Sequence, residues 1–214
     1  MQVNQYSHTP NFRAIKIAQT KNYVRGEITN IDIFKLTKED SSLYEKLKEI
    51  SIKKLFPSLE KDIQERWQKV FNYCIETMKE HCNTAYLALS ENNPCGIMVI
   101  DKDCKKNIFL HGISAIPRKD GKKTNLAGQT LLYQLFKIGS QESKGIKLEA
   151  IHNGPVDVVK KYQDLGFTIN SESSNYTEMS CNKYKVEEQL KKFAKQIEYN
   201  SSKEEHVNLE NLFN

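Results

Sequence analysis

Between Ile63 and Ile100 the apolar residues change their spacing once, and that change restricts the fold more than any other feature. Ile63, Trp67, Val70, Phe71, Cys74, Ile75 and Met78 recur at helical intervals for four turns. From Thr84 the repeat shortens to two. Thr84–Leu89 and Gly96–Ile100 read as strands, separated by the turn-forming run Ser90-Glu91-Asn92-Asn93-Pro94. A long amphipathic helix feeding a hairpin belongs to neither a helical bundle nor an all-β sandwich. It specifies helices packed on a largely antiparallel sheet.

The remaining patterns extend that plan. Ile28–Leu36 alternates as a strand, and Thr37-Lys38-Glu39-Asp40 has the spacing of a capping box opening a helix through Leu43, Leu47 and Ile50. After the hairpin come a charged turn at Asp101–Lys106 and a third strand at Asn107–Ile116. A helix burying Leu131, Leu132, Leu135 and Ile138 follows, then a strand at Ile146–Ile151 and a helix at Pro155–Leu165. Two strands around Phe167–Asn170 and Tyr176–Cys181 and a helix through Val186, Leu190, Phe193, Ala194 and Ile197 complete the series. The fold class expected is α/β of the α+β type, with a mixed, mostly antiparallel sheet flanked by helices.

The chain has no internal repeat and no Pro/Gly/Ser-rich linker, so one domain is expected over residues 26–199. Residues 1–25 are polar and irregular and read as an N-terminal arm. Residues 200–214, rich in Ser, Asn and Glu, read as a flexible tail. With 214 residues, 38% of them hydrophobic, the chain is long enough for a substantial core. No run approaches the ~18 apolar residues of a membrane span. The N-terminus lacks the charged and apolar regions of a secretory signal. The five cysteines are irregularly spaced without a CxxC pair, which argues against a disulfide scaffold or a zinc site. A reduced, cytoplasmic protein without a metal is expected.

The net charge of +5 is localised. Lys102, Lys105, Lys106, Arg118, Lys119, Lys122 and Lys123 face only Asp103 and Asp120 in the same window, an excess equal to that of the whole chain. Phe109 is the only aromatic there, so stacking on single-stranded nucleic acid is poorly served. An anionic small ligand suits the patch better.

Two segments carry candidate chemistry. In the first, the strand ending Ile113-Ser114-Ala115-Ile116-Pro117 gives way to a basic loop and then to Leu126-Ala127-Gly128-Gln129-Thr130-Leu131-Leu132. A helix starting there offers unpaired amides and its positive dipole end to an anion. Ala127 and Gly128 are small enough for a phosphate to approach, and Lys122, Lys123 and Arg118 can neutralise it. An ordinary solvated loop beside an ordinary helix is the plainer alternative. In the second, the strand Leu148–Ile151 leads through Asn153 to Tyr162-Gln163-Asp164-Leu165-Gly166-Phe167. Taken alone, Tyr162 reads as a core tyrosine.

Together, in this order and spacing, the two segments resemble the GCN5-related N-acetyltransferase (GNAT) superfamily over about Ile28–Cys181. The hexapeptide Tyr162–Phe167 fits that family's Tyr-x-x-Leu-Gly-Phe pattern without a gap. One departure is Leu126, which stands where the family's phosphate loop has its first glycine. The resemblance implies an acyl-CoA-dependent N-acyltransferase using acetyl-CoA, with a cleft between two splayed parallel strands, here Asn107–Ile116 and Ile146–Ile151. It implies that Ile113, Ser114 and Ala115 pair with the pantetheine arm, and that Asn125, Leu126, Ala127, Gly128 and Gln129 hold the pyrophosphate. By the same resemblance Asn153 helps to hold the cofactor and Tyr162 protonates the departing thiolate.

Two residues are candidates for the general base. His111 shares a strand face with Phe109 and Ile113, and an ordinary imidazole titrates near ~6.5. Glu149 lies on the neighbouring strand. Each reads equally as structural, His111 as a satisfied histidine and Glu149 as a solvated charge. The amine acceptor has no recognisable reader in the sequence, and a monomer or homodimer is expected. A catalytically weak GNAT-fold module that binds acyl-CoA is the alternative function.

Overall fold

In a computed structural model of the chain the described residues are 14–24, 27–36, 41–55, 57–80, 84–91, 93–103, 105–115, 126–152, 157–207 and 209. They form β1 (Ala14–Val24), β2 (Glu27–Leu36), α1 (Ser41–Lys48), α2 (Ile52–Leu55), α3 (Lys61–Glu80), β3 (Thr84–Ser90), β4 (Asn93–Lys102) and β5 (Ile108–Ala115). There follow α4 (Ala127–Glu142), β6 (Gly145–Ile151), α5 (Val158–Asp164), β7 (Thr168–Glu172), β8 (Tyr176–Asn182), α6 (Lys183–Phe193) and β9 (Ile197–Val207). The nine strands make one sheet in the order β7-β8-β6-β5-β4-β3-β2-β1-β9. Every neighbouring pair is antiparallel except β5 and β6.

The long amphipathic stripe becomes α3, which buries Phe71, Cys74, Ile75 and Met78 against one sheet face together with Leu43 and Leu47 of α1. Helices α4 and α6 cover the other face through Leu131, Leu135, Phe136 and Val186. Strand β3 therefore has five consecutive buried residues, Ala85–Leu89, whose side chains alternate between the two clusters. The hairpin turn is tighter than its sequence suggests. Strand β4 begins at Asn93, and Glu91 takes up a φ of 50° to reverse the chain. Pro94, which has no N–H to give, sits beside a register shift on the β3–β4 ladder.

Both expected boundaries shift. Part of the presumed arm, Ala14–Val24, is a full strand, and part of the presumed tail is β9, which runs to Val207. The two pair with each other from Ala14↔Val207 to Asn22↔Ile197, so β1 is an interior strand. The last helix ends at Phe193 rather than reaching Ile197, which is buried at the start of β9. Residues 1–13 lie outside the described residues, as do the capping box at 37–40 and the tail beyond Leu209.

Candidate active site

The one parallel pair is short. Strands β5 and β6 are in register at Ile108↔Ile146, Phe109↔Lys147 and Leu110↔Leu148, and there the pairing stops, although β6 continues beside β8 to Ile151. The residues of β5 beyond Leu110 thus have a strand partner only on the β4 side. A wedge opens between the two strands, as the splayed pair required. Its cause is a bulge. On β4, Val99 pairs with Gly112 and Ile100 with Leu110, leaving His111 as the extra residue that bends β5 away.

The bulge also corrects the expected facing of His111. The His111 ring meets Phe109 edge-on, with centroids 4.8 Å apart, and the next residue, Gly112, faces Cys74 and Tyr73 of α3. Ile113 and Ala115 pack instead on the α4 side. The inserted residue breaks the alternation, so His111 shares a face with Phe109 but not with Ile113.

At the mouth of the wedge stands the start of α4. Ala127 is fully buried, and a Cβ on Gly96 of β4 would fall 3.1 Å from its methyl. A Cβ on Gly128 would fall 3.3 Å from that of Ala115. The small residues here are thus demanded by close packing of the helix on β4 and β5, whatever binds at its end. Leu126 precedes the helix with φ −60° and no side-chain capping bond, and no acidic residue occupies the first turn. That backbone conformation is ordinary, so leucine fits where the family has glycine. The leading amides receive no side-chain cap, which suits an anion. Ser114, 1% exposed, has an Oγ without a hydrogen-bond partner among the described residues. The Gln129 side chain is turned away to donate to Gln196 Oε1 at 2.7 Å. Lys122, Lys123, Asn125 and Asn153 lie outside the described residues, as do Arg118 and Lys119. Lys102, at the far end of the same patch, pairs with Glu142 in the last turn of α4, about 24 Å along the helix from its start.

Tyr162 lies on α5, which Asp157 caps by accepting from the Lys160 N–H and which Gly166 ends at φ +85°. The Phe167 N–H returns to the Tyr162 carbonyl at 3.0 Å, folding the Phe167 ring edge-on against that of Tyr162 at 5.4 Å. The Tyr-x-x-Leu-Gly-Phe run is therefore a helix stop that fixes a tyrosine. Its hydroxyl hydrogen-bonds to none of the described residues. Burial pushes its pKa up, and the nearby Cys74 thiol adds to the effect. Cys74, itself pushed up to about 12 by burial, also touches the Gly112 position. Tyr162, Cys74 and the bulge thus converge at the bottom of the wedge. Cys74 gave no functional signal in the sequence because it sits within the apolar stripe of α3.

Glu149 is exposed on β6, opposite Glu178 of β8, and neither makes an ion pair with a described residue. The Phe109↔Lys147 register puts Glu149 on the same sheet face as Phe109 and His111. Helix α3 contributes Glu65, Gln68, Lys69, Asn72, Tyr73 and Glu76 to the lining of an open cavity of about 500 Å³, and of these Tyr73 also reaches the Gly112 position on β5. Among the described residues no three His, Cys, Asp or Glu side chains gather as a metal site requires, and no helix is long and apolar enough to cross a membrane.

No protein-family model matches the sequence, and no curated protein is similar to it in sequence. Solved structures do resemble it in fold. The protein described as apo FdhC, a nucleotide-linked sugar GNAT, superposes with a TM-score of 0.51 at 15% identity, covering 78% of this chain and 94% of its own. PH1933 from Pyrococcus horikoshii OT3 gives 0.49 at 15% identity, covering 71% and 98%. Aminoglycoside 6'-acetyltransferase type Ii gives 0.49 at 16% identity, covering 70% and 96%. The chain has the GNAT fold. The first of these superpositions joins the splayed pair and the strand order in supporting that statement.

Proposed function

We propose that the chain is an N-acyltransferase that moves an acetyl group from acetyl-CoA to a primary amine by direct transfer. One observation carries this reading: β5 and β6 part after Leu110↔Leu148 directly beside the uncapped start of α4. A strand left with open backbone groups suits an extended amide-bearing arm, which would add to its edge through Ile113, Ser114 and Ala115. The amides of Leu126–Gln129 suit the phosphates, with Lys122, Lys123 and Asn125 preceding them in sequence and Asn153 following β6.

In the transfer the acceptor nitrogen bonds to the acyl carbon, the C–S bond breaks, one proton leaves nitrogen and one reaches sulfur. An N–H of β5 near Ile113 is suited to the oxyanion. Tyr162, whose raised pKa keeps it protonated at neutral pH, donates its O–H to the departing sulfur. His111 and Glu149 face the side from which an amine approaches past Tyr73, and either can take the nitrogen's proton.

The test is calorimetric titration with acetyl-CoA, followed by thiol release over a panel of amines. Saturable binding, with acceptor-dependent release of free thiol, is expected. No uptake of acetyl-CoA at millimolar concentration overturns the reading. Uptake without transfer to any amine favours a binding module.

A further inference from the structure

Resting on that reading, we infer that Asn22 of β1 is a positioning residue for the cofactor helix, acting through Thr130. Thr20, Asn22 and Thr130 are all fully buried. The Thr130 hydroxyl donates to Asn22 Oδ1 at 3.1 Å. Asn22 Nδ2 donates to Thr20 Oγ1 at 3.2 Å and to the Thr29 carbonyl at 3.3 Å. Thr20 in turn donates to the Ile31 carbonyl at 3.2 Å. The direction of this relay is fixed. A flipped Asn22 amide would set its oxygen against the Thr29 carbonyl, so Oδ1 must face Thr130. Both donors of the amide are used, and the network ends on the backbone of β2.

Thr130 is well placed to transmit this constraint. Its own N–H bonds to the Leu126 carbonyl at 2.9 Å, closing the turn that carries the amides of Ala127, Gly128 and Gln129. The remainder of the helix's inner face is largely apolar, with Ala127, Leu131, Leu135 and Phe136 in the core and Gln134 a further buried polar residue one turn on. Apolar contact sets a helix's distance from a sheet but is non-directional, so it does little against sliding or rotation. A buried hydrogen bond has an angular requirement and does fix them. Gln196, just before β9, and β9 itself supply further ties along the same helix, Gln129 to Gln196 at 2.7 Å, Tyr199 to Gln134 at 2.6 Å and Lys137 to Ser201 at 3.3 Å. Only the tie to Asn22 is buried and set in the first turn.

The experiment compares wild type, Thr130→Val, Thr130→Ser, Asn22→Leu and Tyr199→Phe. Acetyl-CoA Kd, kcat at saturating cofactor and amide exchange at Thr130–Tyr133 are measured for each. Thr130→Val and Asn22→Leu are expected to weaken acetyl-CoA about tenfold and keep kcat within about twofold, since a small misplacement of the holding groups acts on binding. Thr130→Ser keeps the hydroxyl and should restore the wild-type Kd. Tyr199→Phe, which cuts a tie farther along, should lower thermal stability without moving Kd. Unchanged Kd and unchanged exchange in Thr130→Val would overturn the inference. If wild type takes up no acetyl-CoA, the proposed function fails, and amide exchange still decides whether Thr130→Val alone loosens the first turn.

Discussion

The Sγ of Cys74 stands 2.7 Å from the point where a Cβ on Gly112 would fall. Glycine is required at the bulge because α3 presses onto it, and the sulfur is the atom in the way. Gly112→Ala is expected to cost about 2 kcal/mol through overpacking. The double variant Gly112→Ala/Cys74→Ala should recover much of that loss, since the alanine methyl then has room. Urea denaturation of the four species checks it, and strictly additive costs would mean that the clash lies elsewhere.

Tyr162→Phe removes the only hydroxyl proposed to reach the departing sulfur. Turnover should fall at least ~100-fold, with acetyl-CoA affinity held within about twofold. The raised pKa gives a second readout. The folded value lies above the ordinary ~10, so the stabilising contribution is complete below that pH and is lost as pH rises toward the folded value. Wild type should therefore lose more stability than Tyr162→Phe between pH 9 and 11 (about two units around the ordinary value), measured by urea midpoints.

Glu149 and Glu178 are directly cross-strand, two like charges without a cation between them among the described residues. Glu149→Gln and Glu178→Gln should each stabilise the fold by about 0.5 kcal/mol at low salt, with the gain shrinking as salt is added. The two variants part company in catalysis. A loss of turnover confined to Glu149→Gln would identify it as the base, whereas equal activity in both passes that role to His111.

Asp103 pins the β4–β5 turn, accepting from the Asn107 N–H at 2.7 Å and from its Nδ2 at 2.8 Å. Those bonds hold its carboxyl down at about 2, with Lys147 assisting. A lowered folded pKa contributes stability above the ordinary carboxylate range that disappears as pH falls through about 2. Asp103→Asn should be less stable than wild type at neutral pH, and the gap should close between about pH 4 and pH 2. A constant gap across that window would count against the turn as its source.

The sequence made some of this legible and hid the rest for physical reasons. Ile63–Met78 and Thr84–Leu89 announced their elements because Phe71, Cys74, Ile75 and Met78 in the one and Ala85–Leu89 in the other are buried at regular intervals. The bulge lies at His111, and its extra residue broke the alternation, so His111 keeps Phe109 on its face and loses Ile113. Strand β1 was missed because its inward positions include Thr20 and Asn22, buried through hydrogen bonds rather than through apolar contact. Strand β9 was missed because Asn200–Glu205 holds no apolar residue at all. Edge strands are often polar for good reason. The helix start at Ala127–Gly128 read as room for a phosphate, and those small residues also answer to Gly96 and Ala115.

The pairing of β9 with β1 has a consequence for how the chain is assembled. Tyr23 donates to Glu198 across 175 residues of sequence, among the most distant contacts in the sheet. During synthesis β1 must pass the whole interval with one side of its ladder bare, since its second partner is the last of the nine strands to emerge. Such late, non-local closure is slow, and a bare strand edge invites pairing with other chains. Lys16 and Lys21 on β1 guard that interval by charge, and in the finished sheet the same two lysines are neutralised by Asp32 and Glu198.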